Sequence, residues 1–375
     1  MSGDRIRERK DYGTIGIVLT LTLLMFGEVS SFAQIVEPSA EALTELDERI
    51  RTHLKQNNIP GGLVALASRG HIVYLKTYGM SNVELSVPVT DKTVFEIGSI
   101  SKQFSSVAVM LLVQEGKLDL DAKIHKYLPY LPGEWLGVTV RQLLNHTSGI
   151  PDYEEIRSYD VYRFRMTPEE VIKIAHSRPL DFVPGTGWYY SNTGYFLLSM
   201  IIERVEGRSL GKVMDSRIFK PLGMDDTRMA DPEKIVKNRA AGYWIDKVGR
   251  LINRNPTETS STLGAGGLLT SVYDLVKWDK MLYENEFLSA ESKSTMWKPT
   301  ILPNGENTWY GLGWDVGLYK GFVSQSHGGQ VAGFRAKFSR FPDQDAAVII
   351  FFNRYLVETE VVESAVLETF MSNLR

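Results

Sequence analysis

The chain has 375 residues, 43% hydrophobic and 23% charged, with a formal net charge of -3 and a pI of about 6.1. That balance belongs to a folded globular protein of one large or two ordinary domains. It lacks the basic stripe of a nucleic-acid binder, any repeat of fixed period and any low-complexity tract, and without cysteine it has no disulfide framework.

Residues 1–33 read as a signal peptide. Arg5, Arg7, Arg9 and Lys10 precede an apolar run from Thr14 to Gly27, and small residues Ser31 and Ala33 place cleavage after Ala33. The apolar run is short for a span of about 20 residues, so the expectation is export to the periplasm or the medium, with no membrane span left after cleavage. Residues 41–57 carry Leu43, Leu46, Ile50 and Leu54 at helical spacing. "GGLVALAS" and "HIVYLKTYG", joined by Arg69-Gly70, read as a hairpin. Residues 100–114 read as a buried helix with Phe104, Val107, Ala108, Leu111 and Leu112 on one face, closed by Gly116. The stretch from 141 to 255 looks mainly helical, with a capping signal at Thr167 and Glu170 and an apolar segment ending at Gly207. After 305 the runs are strand-like, broken by Gly and Pro-Asp, and an amphipathic helix over 356–373 closes the chain. Strands early and late with helices between predict an α/β domain from 34–140 and 256–375, with a mainly helical domain inserted over 141–255.

The first candidate for chemistry is Ser99-x-x-Lys102, directly before the apolar helix. Positions three apart share a helix face. At the first turn, unpaired N–H groups and the helix dipole stabilise a developing negative charge. Burial would lower the Lys102 pKa, and a neutral amine can take a proton from Ser99. By itself the pattern equally describes a Ser cap beside a surface lysine. The chain also holds a second S-x-x-K, Ser209 to Lys212, inside the G-x-S-x-G pattern of a nucleophile elbow. An elbow needs a strand running into the serine, whereas here a long apolar segment with Glu203, Arg204 and Glu206 suits a helix ending at Gly207. Two further groups keep Ser99 company. Tyr190-Ser191-Asn192 supplies a phenol able to relay a proton and an amide able to orient a carbonyl, and His327-Gly328-Gly329 lies on an expected strand. Tyr283-x-Asn285 matches the same short pattern but sits in a helical stretch without a Gly-rich loop. No cofactor motif is present. Six His without an H-E-x-x-H pattern, and no thiols, argue against a metal enzyme.

Taken in order, Ser99-x-x-Lys102, Tyr190-Ser191-Asn192 and His327-Gly328-Gly329 resemble the serine β-lactamase and penicillin-binding protein superfamily, in its class C β-lactamase, DD-peptidase and esterase branch. "LLNHTSGIPDY", "IFKPLGMDDT", "GAGGLLTSVYDLVKW" and "YGLGWDV" look like that family as well, so the likeness covers about residues 45 to 370. The resemblance implies an antiparallel sheet flanked by helices plus a helical domain, with the site between them. It implies Ser99 as the acylated nucleophile, Lys102 and Tyr190 sharing acid and base work, and Asn192 touching the substrate. The N–H groups of Ser99 and Gln330 would form the oxyanion hole, and His327 and Gly329 would line the opposite wall. One departure matters: this branch usually carries Lys-Thr-Gly where this chain has His327-Gly328-Gly329. A carboxylate-bearing antibiotic thereby loses two contacts, each worth about 1.5–3 kcal/mol. The expected activity is therefore an exported serine hydrolase acting through an acyl-enzyme on Ser99, on ester or D-amino-acid peptide or amide bonds, with β-lactamase action or a non-catalytic penicillin-binding, cell-wall-sensing module as alternatives.

Overall fold

A strand that is apolar at every position has to be covered on both faces, and two segments of this chain are of that kind. The computed structural model describes residues 35–254 and 258–371; the leader read over 1–33 lies outside them. The elements run in chain order from α1 (Ala40–Gln56), capped by the Ser39 side chain, to the hairpin β1 (Gly61–Ser68) and β2 (His71–Asn82). Short strands β3 (Val87–Pro88) and β4 (Phe95–Glu96) lead into α2 (Ser101–Gln114). Helices α3 (Val140–Leu144), α4 (Tyr153–Arg157), α5 (Pro168–Ala175), α6 (Asn192–Glu206) and α7 (Leu210–Met214) follow. Then come β5 (Arg228–Met229), β6 (Tyr243–Ile245), β7 (Leu251–Asn253), α8 (Leu263–Gly266), β8 (Leu268–Thr270), α9 (Val272–Tyr283) and α10 (Ala290–Met296). The chain ends in β9 (Asp315–Tyr319), β10 (Phe322–Val331), β11 (Phe334–Phe341), β12 (Ala346–Phe352) and α11 (Glu360–Phe370).

Seven strands form one antiparallel sheet in the order β3-β2-β1-β12-β11-β10-β9, so the first and last strands of the chain meet at its centre. The two-residue side-chain period then divides the core. Val64 and Leu66 of β1, with Val348, Ile350 and Phe352 of β12, face α1 and α11. Leu63, Ala65, Ile349 and Phe351 face the other way, into a core shared with α2 and the helices of 141–255. That second core includes Phe104 stacked on Trp278 at 4.0 Å, with Leu143, Ile201 and Val213. The antiparallel sheet flanked by helices is the fold that the motif resemblance implied.

Most elements fall where the pattern placed them, and the exceptions have physical causes. The closing helix starts at Glu360 rather than 356, because Leu356 takes φ +54, which a helix cannot hold. Residues 228–254, read as helical, instead form short strands. There the N–H groups of Ala241 and Tyr243 donate to the carbonyls of Ser81 and Asn353, so sheet edges set the backbone. Among the described residues no helix is long and apolar enough to cross a membrane.

Candidate active site

Ser99 lies in a single 3-10 turn, Gly98–Ile100, that runs straight into α2. Gly98 sits at φ +51, and a Cβ there would lie 2.6 Å from the backbone nitrogen of Gln330. A Cβ on Gly329 would lie 1.9 Å from the carbonyl oxygen of Ile97. Both positions need glycine, because two backbones touch without side chains between them. Strand β9 pairs with β10 only across Phe322–Ser326, which leaves the edge of 327–331 to the Gly98 turn. The backbones of Ser99 and Gln330 thus come together at one small cavity of about 30 Å³, lined by Ser99, Glu154, Tyr162, Asn192, Ala265 and Gln330 among others. A polar space of that size holds a water molecule or two.

Lys102 is completely buried. Its Nζ lies 3.1 Å from Ser99 Oγ, 2.7 Å from Asn192 Oδ1 and 2.7 Å from the carbonyl oxygen of Ala265. Burial brings its pKa down to about 7, while the charges of Glu154 and Asp152 pull the other way. The partners decide what the neutral amine can do. Asn192 Oδ1 and Ala265 O only accept, so they take its two N–H groups, and the remaining lone pair is left for Ser99. The amide of Asn192 is locked in that orientation, since its Nδ2 donates to Asp152 Oδ2 at 3.1 Å.

Tyr190 stands at the entrance to α6, its ring 4.7 Å from Lys102 Nζ and Ser99 near its hydroxyl. Burial raises its pKa well above the ordinary phenol value, so it keeps its proton at neutral pH. His146 packs on it with ring centroids 4.3 Å apart. Its Nδ1 accepts from the N–H of Ser191 at 3.2 Å, and burial holds the imidazole neutral. His327 also lies on this wall, 6.1 Å from the Tyr190 ring. Its Nε2 meets the Tyr310 hydroxyl at 2.9 Å, and burial lowers its pKa to about 4. The wall where the family resemblance expects a cationic lysine is therefore uncharged at neutral pH.

All seven residues singled out by sequence (Ser99, Lys102, Tyr190, Asn192, His327, Gly329 and Gln330) come together here. Ser209 does not: it is exposed at the start of α7, after α6 ends at Gly207 with φ +68, so no strand enters that turn. Tyr283 is likewise remote, packed against the Arg340 guanidinium at 4.5 Å. Sequence reasoning missed Asp152 and Glu154, although both stand in or beside the quoted "HTSGIPDY". Asp152 accepts from the N–H of Glu154 at 3.0 Å and of Asn192 at 3.2 Å, and so orients Asn192 for Lys102. Glu154 accepts from the Tyr162 hydroxyl; burial, then the Asp152 charge, raises its pKa to about 8. No group of three His, Asp or Glu among the described residues could hold a metal ion.

Comparisons with known proteins give the family and the fold. The family model described as Beta-lactamase matches residues 46–367. Penicillin-binding protein 4* of Bacillus subtilis (strain 168) is 32% identical over 311 residues, covering 78% of this chain and 68% of that protein. The octameric penicillin-binding protein homologue from Pyrococcus abyssi superposes with a TM-score of 0.75 at 31% identity, over 88% of this chain and 80% of its own. D-amino acid amidase from Ochrobactrum anthropi SV3, complexed with L-phenylalanine, gives 0.76 at 27% identity, over 87% and 98%. The chain belongs to the Beta-lactamase family and is a serine hydrolase of the β-lactamase fold.

Proposed function

We propose that this hydrolase cleaves amide bonds of D-amino-acid derivatives carrying a free amine, through an acyl-enzyme on Ser99. The observation that carries the reading is the Lys102 amine, buried and aimed at Ser99 Oγ by two carbonyl acceptors. Neutral Lys102 takes the Ser99 proton as Oγ adds to the substrate carbonyl. Tyr190, which keeps its own proton, cannot be the acceptor in this step. The oxyanion is held by the N–H groups of Ser99 and Gln330. The C–N bond then breaks, and the leaving nitrogen takes a proton handed from Lys102 through the Tyr190 hydroxyl. Water adds to the acyl ester, returns a proton to the base, and the Ser99 oxygen leaves with the acid released.

Glu154 supports the choice of substrate. It lines the Ser99 cavity, and although its raised pKa leaves it mostly protonated at pH 7, an ammonium on the acyl group would draw it into the carboxylate form. The similarity to a D-amino acid amidase points to the same class. The neutral His327 and the absent hydroxyl at Gly328 favour amides and esters over carboxylate-bearing β-lactams. The leader over 1–33 supports placement outside the cytoplasm, in the periplasm or secreted.

The test is ammonia release from D-alanine amide, L-alanine amide and N-acetyl-D-alanine amide. The D-amide with a free amine should turn over fastest, Ser99→Ala should abolish release, and Glu154→Gln should raise KM for free-amine substrates only. Unchanged activity in Ser99→Ala, or a preference for the acetylated amide, would overturn the reading.

A further inference from the structure

The cavity at Ser99 is too small for a whole substrate, but a larger one is lined by a residue that packs on the catalytic wall. A cavity of about 540 Å³ is lined by Trp188, Trp309, Tyr310, Asp315 and Leu318 among others. That residue is Tyr310: its hydroxyl meets His327 on the catalytic wall and its ring lies 6.4 Å from that of Tyr190.

The make-up of this cavity is unusual for an exposed groove. Three of its side chains are large aromatics, with Trp188 and Tyr310 packed 6.0 Å apart. Trp309 is 57% exposed yet firmly held at φ +55, which a non-glycine residue adopts only when its surroundings impose it. Its N–H donates to Asn307 Oδ1 at 2.9 Å, and its carbonyl accepts from Val316 at 2.9 Å. Its indole lies so close over Gly317 that a Cβ there would approach the ring to 3.2 Å. The charge has one sign: Asp315 is exposed, begins β9 and has no ion-pair partner among the described residues. Its charge reaches Tyr190, Tyr310 and His327, and His327 is neutral above about pH 4. Aromatic faces beside a lone carboxylate are the environment that attracts an ammonium or guanidinium group.

We propose that this cavity is a leaving-group subsite for a cationic side chain, with Asp315 pairing the cation and Trp188, Trp309 and Tyr310 walling its stem. The assignment to the leaving-group side rests on the acyl-enzyme reading above. With the acyl amine at Glu154 and the carbonyl at Ser99 and Gln330, the departing nitrogen would lie at Tyr190, and Tyr310, which packs on Tyr190 and meets His327, links that side to this cavity. Where the resemblance expects a wall that binds a substrate carboxylate, this chain presents one that binds the opposite charge.

The test separates this subsite from the hydrolytic reading. Binding to Ser99→Ala protein is measured by calorimetry for D-alanyl-lysine amide and D-alanyl-norleucine amide, which share the stem and differ in the ammonium. The lysine ligand should bind about tenfold more tightly, equivalent to about 1.4 kcal/mol. Asp315→Asn in the same background should erase that difference and leave norleucine affinity unchanged. With Ser99 intact, Asp315→Asn should lower kcat/KM for the lysine amide alone. Equal affinities in Ser99→Ala, or a preference that survives Asp315→Asn, would overturn the proposal. If the binding preference is present while the active protein hydrolyses neither amide, the subsite stands and the hydrolytic reading fails. Turnover of both amides without preference is the reverse result.

Discussion

Lowering the pH should switch off acylation of Ser99, with the midpoint set by Lys102. An ordinary lysine near 10.5 would be neutral in about one molecule in three thousand at pH 7. Burial brings Lys102 to about 7. About half the molecules are then competent at pH 7 and about one in eleven at pH 6. The assay is the pre-steady-state burst of p-nitrophenol from p-nitrophenyl acetate, whose acyl group has no amine to engage Glu154. The burst rate should rise tenfold per pH unit below 7 and level off by about pH 8. His327 titrates near 4, His146 lower than an ordinary histidine and Tyr190 well above 10, so none of them gives that limb. Glu154, raised to about 8, is the one competitor in the cavity, and Glu154→Gln separates the two. The limb should persist in that variant at or below its wild-type position, because the carboxylate charge holds the Lys102 pKa up. A rate that climbs without a plateau to about pH 9.5, or a limb lost in Glu154→Gln, would refute Lys102 as the base.

Glu154 also leaves a mark on stability. Its folded pKa, about 8, lies above the unfolded value of 4.5, so the folded state binds the extra proton and stability falls as pH rises from 4.5 through 8. Urea denaturation should show Glu154→Gln gaining on the wild type across that window, with a slope no steeper than about 1.4 kcal/mol per pH unit; a flat difference would contradict it. Gly98→Ala adds a methyl 2.6 Å from Gln330 N and holds alanine at φ +51. It should cost about 1–2 kcal/mol of stability and lower kcat by about 10²–10³, through separation of the two oxyanion donors. A variant with normal kcat would show that those N–H groups do not act together. The buried pair Arg340–Asp279, at 2.6 Å with both side chains no more than 1% exposed, lies away from Ser99. Asp279→Ala should lower the unfolding free energy by about 3–5 kcal/mol, because it strands the guanidinium. Ester turnover by the protein that remains folded should be unchanged.

Sequence reasoning reached furthest where local spacing and local chemistry coincide. The three-residue step from Ser99 to Lys102 is a helix property, and the apolar run after it announces that Lys102 will be buried. The unbroken apolar runs of β1 and β12 announce strands covered on both sides. Neither pattern says that the two strands are neighbours, a contact between residues nearly 300 positions apart: Gly62 pairs with Phe352. The acceptors that fix Lys102 were hidden for a similar reason. Ala265 acts through its carbonyl, which any residue possesses, and only the end of the one-turn helix α8 beside α2 makes that oxygen available. Asp152 works through Asn192, a partner 40 positions away.

Glu154 and Asp315 show the same limit from the side of charge. Each is an ordinary acidic residue by pattern, one at the start of a short helix and one at the start of a strand. What distinguishes them is that neither forms an ion pair among the described residues, at a site where burial suppresses the neighbouring positive charges. Lys102 is brought near neutrality and His327 is held neutral. With those positive charges suppressed, the acidic groups that remain, Glu154 (mostly protonated until a cation arrives) and Asp315, make the site favour a cationic ligand. The motif resemblance anticipated the loss of a carboxylate anchor at His327-Gly328. The sign of the replacement required the fold, because Asp315 reaches that wall only through the pairing of β9 with β10, where it faces Ser326.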